Sequence, residues 1–226
     1  MSKKPPLFIV FVASLLAAAL FANTIGAKTD AFFTAATQGD MDSIRNLISS
    51  GSNVNMKDRV GRTPLMFAAW NGRTEAVKLL IASGADINAV NKSGMTALMY
   101  AARFGNTDTV KALLQQKGCS MNAQNTNGLT ALMCASWYGH TDTVRVLLTA
   151  GVDLTLEDEE GRIALLHAVD GGHMDTVRLL LQNGSDLSAR DRRGRNALMT
   201  AQIKDRTNIV ELLSHPLVEL KNQTNW

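Results

Sequence analysis

Four histidines, two cysteines and one acidic run are the side chains of this sequence with chemistry to offer. His140 and His173 each follow a glycine, His167 lies in an apolar stretch, and His215 sits near the end. None has a Cys, Asp or Glu at the spacing of a zinc site. Glu157-Asp158-Glu159-Glu160 could hold calcium. A calcium loop, however, alternates its oxygen ligands and ends on a distant glutamate. This run does neither and reads as a solvated turn. Cys119 and Cys134 could bridge only if their Cα atoms come within roughly 7 Å. They stand alone at small-residue or variable positions and are expected to be unpaired. Catalysis, metal binding and cofactor binding have no candidate residues.

The elements that carry these residues repeat. Gly128-Leu129-Thr130-Ala131-Leu132-Met133 has close copies beginning at Gly61 and Gly94 and weaker ones at Gly161 and Gly194. Subtraction gives spacings of 33, 34, 33 and 33 residues, a period that marks stacked units sharing one continuous core. Each unit opens on a polar residue and a glycine, as in Asp58 to Gly61 or Asn125 to Gly128. Thr63, Thr96 and Thr130 can then cap a short helix, and Pro64 suits a first helical position. Gly72, Gly105, Gly139 and Gly172 end that helix. A second helix carries Val77, Leu80 and Ile81, or Val110, Leu113 and Leu114, as one apolar stripe. The extra residue in the 34-residue spacing falls at Gln115-Gln116-Lys117, where it should lengthen a loop without breaking the stack.

These motifs resemble the ankyrin-repeat family, with its turn, two helices and Thr-Pro-Leu-His-x-Ala signature. The resemblance covers about nine-tenths of the chain beyond Ala27. It implies an all-α solenoid of about six stacked helix-turn-helix units with β-turn fingers. The family's His is replaced by Met66, Met99, Met133, Leu166 and Met199, and its Pro survives only as Pro64. His140 and His173 stand where ankyrin repeats place a structural histidine. Terminal units of a solenoid must be altered; here the first lacks its turn and the last replaces the inter-helix Gly with Asp205.

The start has a different grammar. Lys3 and Lys4 precede the apolar run Leu7 to Ala22 and the small-residue pattern Ile25-Gly26-Ala27, the layout of a secretory signal peptide cleaved after Ala27. An uncleaved anchor is the alternative, and only then would the chain contact a membrane. The expected organisation is a signal peptide over 1–27 and an N-terminal capping repeat over 28–57. Four internal repeats over 58–190, a C-terminal capping repeat over 191–220 and a polar tail over 221–226 follow. The chain carries +3, of which Lys3 and Lys4 supply two charges. A mature chain near +1 has no nucleic-acid footprint.

The resemblance also implies a function and a surface. It implies a monomeric binding module, with no enzymatic role, no cofactor and no small-molecule substrate, recognising another protein on its concave face. Small exported bacterial ankyrin proteins share this size and layout. That places the chain in the periplasm, with a tie to oxidative-stress protection, or alternatively outside the cell as an effector acting on host proteins. The concave positions are Arg59, Arg62, Trp70 and Asn71, then Lys92, Met95, Arg103 and Phe104. Thr126, Asn127, Leu129, Trp137 and Tyr138 follow, and Glu159, Glu160, Arg162 and Asp170 turn the face acidic. Trp70, Phe104, Trp137 and Tyr138 are expected to line up as one stripe.

Overall fold

The computed structural model describes residues 30–214. The expected signal peptide, His215 and the polar tail lie outside them. Helical residues 30–38 (α1) pair with α2 (Met41–Ser49). The pairs α3 (Pro64–Trp70) with α4 (Thr74–Ala82) and α5 (Ala97–Arg103) with α6 (Thr107–Leu114) follow. Then come α7 (Ala131–Trp137) with α8 (Thr141–Thr149), α9 (Ala164–Gly171) with α10 (Met174–Gln182), and α11 (Ala197–Ile203) with α12 (Thr207–Ser214). The described residues thus form six helix pairs and no strand. The first helices stack as one row, α3 on α5 on α7 on α9 on α11, and the second helices as another. Leu65, Leu98, Leu132 and Leu165 from the first row and Leu80, Leu113, Leu147 and Leu180 from the second are almost wholly buried. Each such side chain contributes about 1.5–3 kcal/mol.

Each unit begins with the same finger. The Asp158 carboxylate accepts backbone N–H bonds from Glu160 and Arg162, both at 2.9 Å, and the Asp158 N–H donates back to the Arg162 carbonyl. Asp58, Asn91, Asn125 and Asp191 close their turns in the same way. Adjacent fingers are joined by one backbone bond each, from Lys92 to Val60, Thr126 to Ser93, Glu159 to Asn127 and Arg192 to Glu160. The turn glycine permits this closeness: Gly128 has φ +76°, and a Cβ there would sit 2.8 Å from the Cα of Asp158. Thr63, Thr96 and Thr130 then cap α3, α5 and α7 through their hydroxyls, and Asn196 caps α11 through its amide oxygen. Ile163 makes no such bond for α9.

Side chains stitch the second-helix row together. The hydroxyls of Thr74 and Thr109, Thr107 and Thr143, and Thr141 and Thr176 each meet at 2.8 Å across successive units. On the loop edge, Asn55 bonds both Gly84 O and Asp86 N, and Asn88 bonds both Gly118 O and Ser120 N. Asn122 still accepts from Asp153 N. Beyond it, Thr155 and Ser188 turn their hydroxyls to their own Asp153 and Asp186.

The extra residue falls where expected. The second helices α4, α8 and α10 end with a bond from Ala85, Val152 or Ser185 N–H back to Leu80, Leu147 or Leu180. After α6, Cys119 N–H instead bonds Gln116 O, so the insertion lengthens the loop and removes that closure. Asp205 takes φ +53°, the left-handed conformation its glycine counterparts adopt.

Candidate binding face

The residues before each inter-helix turn close the first helices, and the next unit holds them in place. No side chain caps the second helices α4, α6, α8 or α10. The residue at that position reaches back one unit instead. Asn106 Nδ2 donates to the carbonyls of Ala69 and Trp70, both at 2.8 Å. His140 Nε2 lies 3.0 Å from the Arg103 carbonyl, and His173 Nε2 lies 2.9 Å from that of Trp137. A carbonyl only accepts, so both rings donate through Nε2. Their role is the structural one, and it fixes the helix ends that carry Trp70, Arg103 and Trp137.

On this frame the rings form two clusters rather than one stripe. Phe33, Phe67, Trp70 and Phe104 follow one another at centroid distances of 5.0, 6.4 and 5.3 Å, and Tyr100 joins Trp70 at 5.6 Å. Trp137 and Tyr138 form the second cluster at 6.3 Å, with His167 stacked on Trp137 at 5.2 Å and His140 beside Tyr138 at 6.3 Å. Phe104 makes no ring contact with Trp137 or Tyr138; Arg103 joins the clusters, its guanidinium 5.9 Å from Phe104 and 5.3 Å from Tyr138. Arg62 lies over Phe67 and Trp70, and Arg162 over Trp137. The face is therefore an alternation of rings and guanidiniums, each contact of the kind worth about 0.5–1 kcal/mol at an exposed site.

The expected contact residues divide by exposure. Arg59, Asn71, Lys92, Arg103, Phe104, Thr126, Asn127, Trp137, Tyr138, Glu159 and Glu160 are exposed. Trp70 and Leu129 are half-buried. Arg62 and Arg162 are half-buried too and bind the aspartates of their own fingers at 2.7 and 2.9 Å. Asp170 is paired with Lys204 at 3.1 Å. Met95 is a correction: it is buried, not presented outward, because its side chain turns onto the next finger, with its Sδ 3.3 Å from Asn125 Nδ2.

Sequence reasoning did not single out the bases of the fingers. Where the turn residue is Asp, the residue four positions on is Arg, as in Asp58–Arg62, Asp158–Arg162 and Asp191–Arg195. Where it is Asn, that residue is Met95 or Leu129. This pairing is legible in the chain and was the available signal. His167 and Tyr100 complete the bases from the first helices, reaching Asp158 and Asn91 at 2.9 Å. Burial would raise the Asp158 carboxyl, but bonds from His167 and Arg162 outweigh it and hold it well below the usual carboxylate range. Cys119 and Cys134 are free thiols, and burial, partly opposed by Arg103, pushes Cys134 up to about 12. Among the described residues, no three His, Cys, Asp or Glu side chains are grouped to hold a metal ion.

Comparison with known proteins agrees with this architecture. The family model "Ankyrin repeats (3 copies)" matches residues 11–91, 84–158 and 150–224, the first match beginning inside the apolar run near the N-terminus. The crystal structure of EF0377, an ankyrin repeat protein, is similar at 33% identity with a TM-score of 0.74. That match covers 82% of this chain and 96% of the other. No curated protein matches the chain. Repeats, helix pairs, clamped fingers and the family match over most of its length agree: the chain belongs to the ankyrin-repeat family.

Proposed function

We propose that the chain is an exported protein–protein interaction module whose concave face binds another protein in a bacterial periplasm. The observation that carries this reading is the set of exposed rings Phe104, Trp137 and Tyr138 joined by the Arg103 guanidinium, beside the half-buried Trp70. Trp, Tyr and Arg dominate interface energies when they cluster centrally, and these are held on helix ends clamped by the next unit. Ankyrin repeats generally serve as non-enzymatic interaction scaffolds, and we read this one as monomeric and non-enzymatic. Export is supported by the basic, apolar and small-residue succession over 1–27. Oxidative-stress protection is the process that the resemblance to small exported bacterial ankyrin proteins suggests.

The test is capture from periplasmic extract with the purified chain, followed by mass spectrometry. A partner retained by the native face and lost from a Trp137→Ala, Tyr138→Ala double variant supports the reading. Finding the mature chain only in culture medium would instead favour an effector acting on host proteins.

A further inference from the structure

The second and third fingers differ from the others in what fills their bases. In the first, fourth and fifth, an Asp–Arg pair occupies the space. In the second and third, Asn91 and Asn125 stand with Met95 and Leu129, so the base is neutral and a guanidinium shorter. A cleft of about 350 Å³ opens there, between these two fingers and the ends of α5 and α7. Among the polar groups lining it, Arg103 is the one donor-only and charged group, beside amides and hydroxyls that can donate or accept. Arg103 is exposed, steadied by the Tyr138 and Phe104 rings, and has no carboxylate partner among the described residues. Asn125 spends its amide N–H on the Met95 sulfur, a weak acceptor. Donors without a good acceptor call for a carboxylate, which an arginine fork can bind bidentately.

Trp137 lines both this cleft and the next, and its other side is of opposite sign. There a cleft of about 290 Å³ is lined by Asp158, Glu159, Glu160 and Arg162. Arg162 is committed to Asp158, with Glu160 at a longer 3.6 Å, and Glu159 has no cationic partner among the described residues. Trp137 itself is 39% exposed between the Arg103 cleft and an acidic one.

Building on the protein-binding reading above, we infer that the partner contributes an extended segment of matching polarity. An acidic side chain enters the Arg103 cleft, an apolar residue crosses Trp137, and a basic side chain meets Glu159 and Glu160. Packed helices stand about 8–10 Å apart, so adjacent clefts are spanned by about two or three residues of extended chain at ~3.3 Å each. The recognised segment therefore carries its acid and its base two or three positions apart, in one fixed order along the face.

The experiment is a selection of random linear peptides displayed on phage against the full chain, with enriched sequences resynthesised and titrated by fluorescence anisotropy. Enriched peptides should share an acid and a base at that separation. Arg103→Glu should weaken them at least tenfold, and Glu159→Lys with Glu160→Lys should do the same. Arg45→Glu, exposed on α2 and away from both clefts, should leave binding within twofold. Circular dichroism melts check that the variants remain folded. Peptides lacking the acid, peptides indifferent to Arg103→Glu, or no enrichment at all would overturn the inference. The two readings fail differently. Binding that survives Arg103→Glu but is lost with Trp137→Ala and Tyr138→Ala keeps the concave face and removes the charge rule; binding indifferent to all these variants removes both.

Discussion

Nε2 of the fully buried His167 lies 2.9 Å from Oδ2 of Asp158, the carboxylate that also binds Arg162 and closes the fourth finger. A carboxylate lowered in the folded state contributes stability that is complete above its unfolded value, near 3.9, and is lost as pH falls through the folded one. Asp158, Asp58 and Asp191 are all lowered, burial being outweighed by the bonds from their finger partners. Urea midpoints should therefore drop as pH falls below about 4. Asp158→Asn keeps the Oδ1 acceptor, as Asn91 and Asn125 do naturally, and should make that drop shallower while costing about 1–3 kcal/mol at neutral pH.

Left-handed positions give two opposite outcomes. Asp205 holds φ +53° where the preceding units use glycine, so Asp205→Gly should stabilise the chain by about 1 kcal/mol. Gly128→Ala must meet the same backbone strain and also the Asp158 backbone at 2.8 Å. It should cost about 2 kcal/mol or more. Gly184→Ala, whose Cβ would meet nothing within 4 Å, serves as the control with only the strain to bear. Equal losses for Gly128→Ala and Gly184→Ala in chemical denaturation would refute the contact argument.

The threonine bonds can be measured as a coupling. Thr143 is fully buried and shares its hydrogen bond with Thr107 alone of the unit before it. Thr143→Val and Thr107→Val should each destabilise by about 1 kcal/mol. A double-mutant cycle should return an interaction of at least 0.5 kcal/mol. Additive losses would mean that the hydroxyls contribute singly.

The concave face and the fold should be separable. Trp137→Ala with Tyr138→Ala removes two side chains that are 39% and 45% exposed. Partner capture should fall at least tenfold, about 1.4 kcal/mol, with little change in melting temperature. A collapse of melting in which the surviving folded fraction still captures the partner would make the rings structural.

Processing is tested directly. N-terminal sequencing of exported protein should begin at Lys28, immediately before the first helical residues of the repeat array. Intact Met1 in a membrane fraction would support an anchored chain.

Much of the fold was legible because a fixed period leaves few ways to bury the apolar stripes. The caps Thr63, Thr96 and Thr130, and the roles of His140 and His173, follow from position within the unit. The face was read less well. Trp70 and Phe104 belong to one ring cluster and Trp137 to another because contact depends on how successive units rotate, which no single unit encodes. Met95 sits at a finger position that suggested exposure, but its side chain turns onto Asn125 of the next finger, a contact between units that no single unit encodes. The paired residues Thr107 and Thr109, and Thr141 and Thr143, carried the inter-unit hydroxyl bonds in plain view. They pass for ordinary helix starts until two units are laid side by side.

The asparagines of the loop edge give the molecule a graded stiffness. Asn55 and Asn88 each fasten their loop to the next by two bonds, Asn122 by one, and Thr155 and Ser188 by none. The array is thus laced tightly along that edge near its start and loosely toward its finish. Pulled from its two ends, it should part first among the later units, leaving the ring-bearing early units assembled under load.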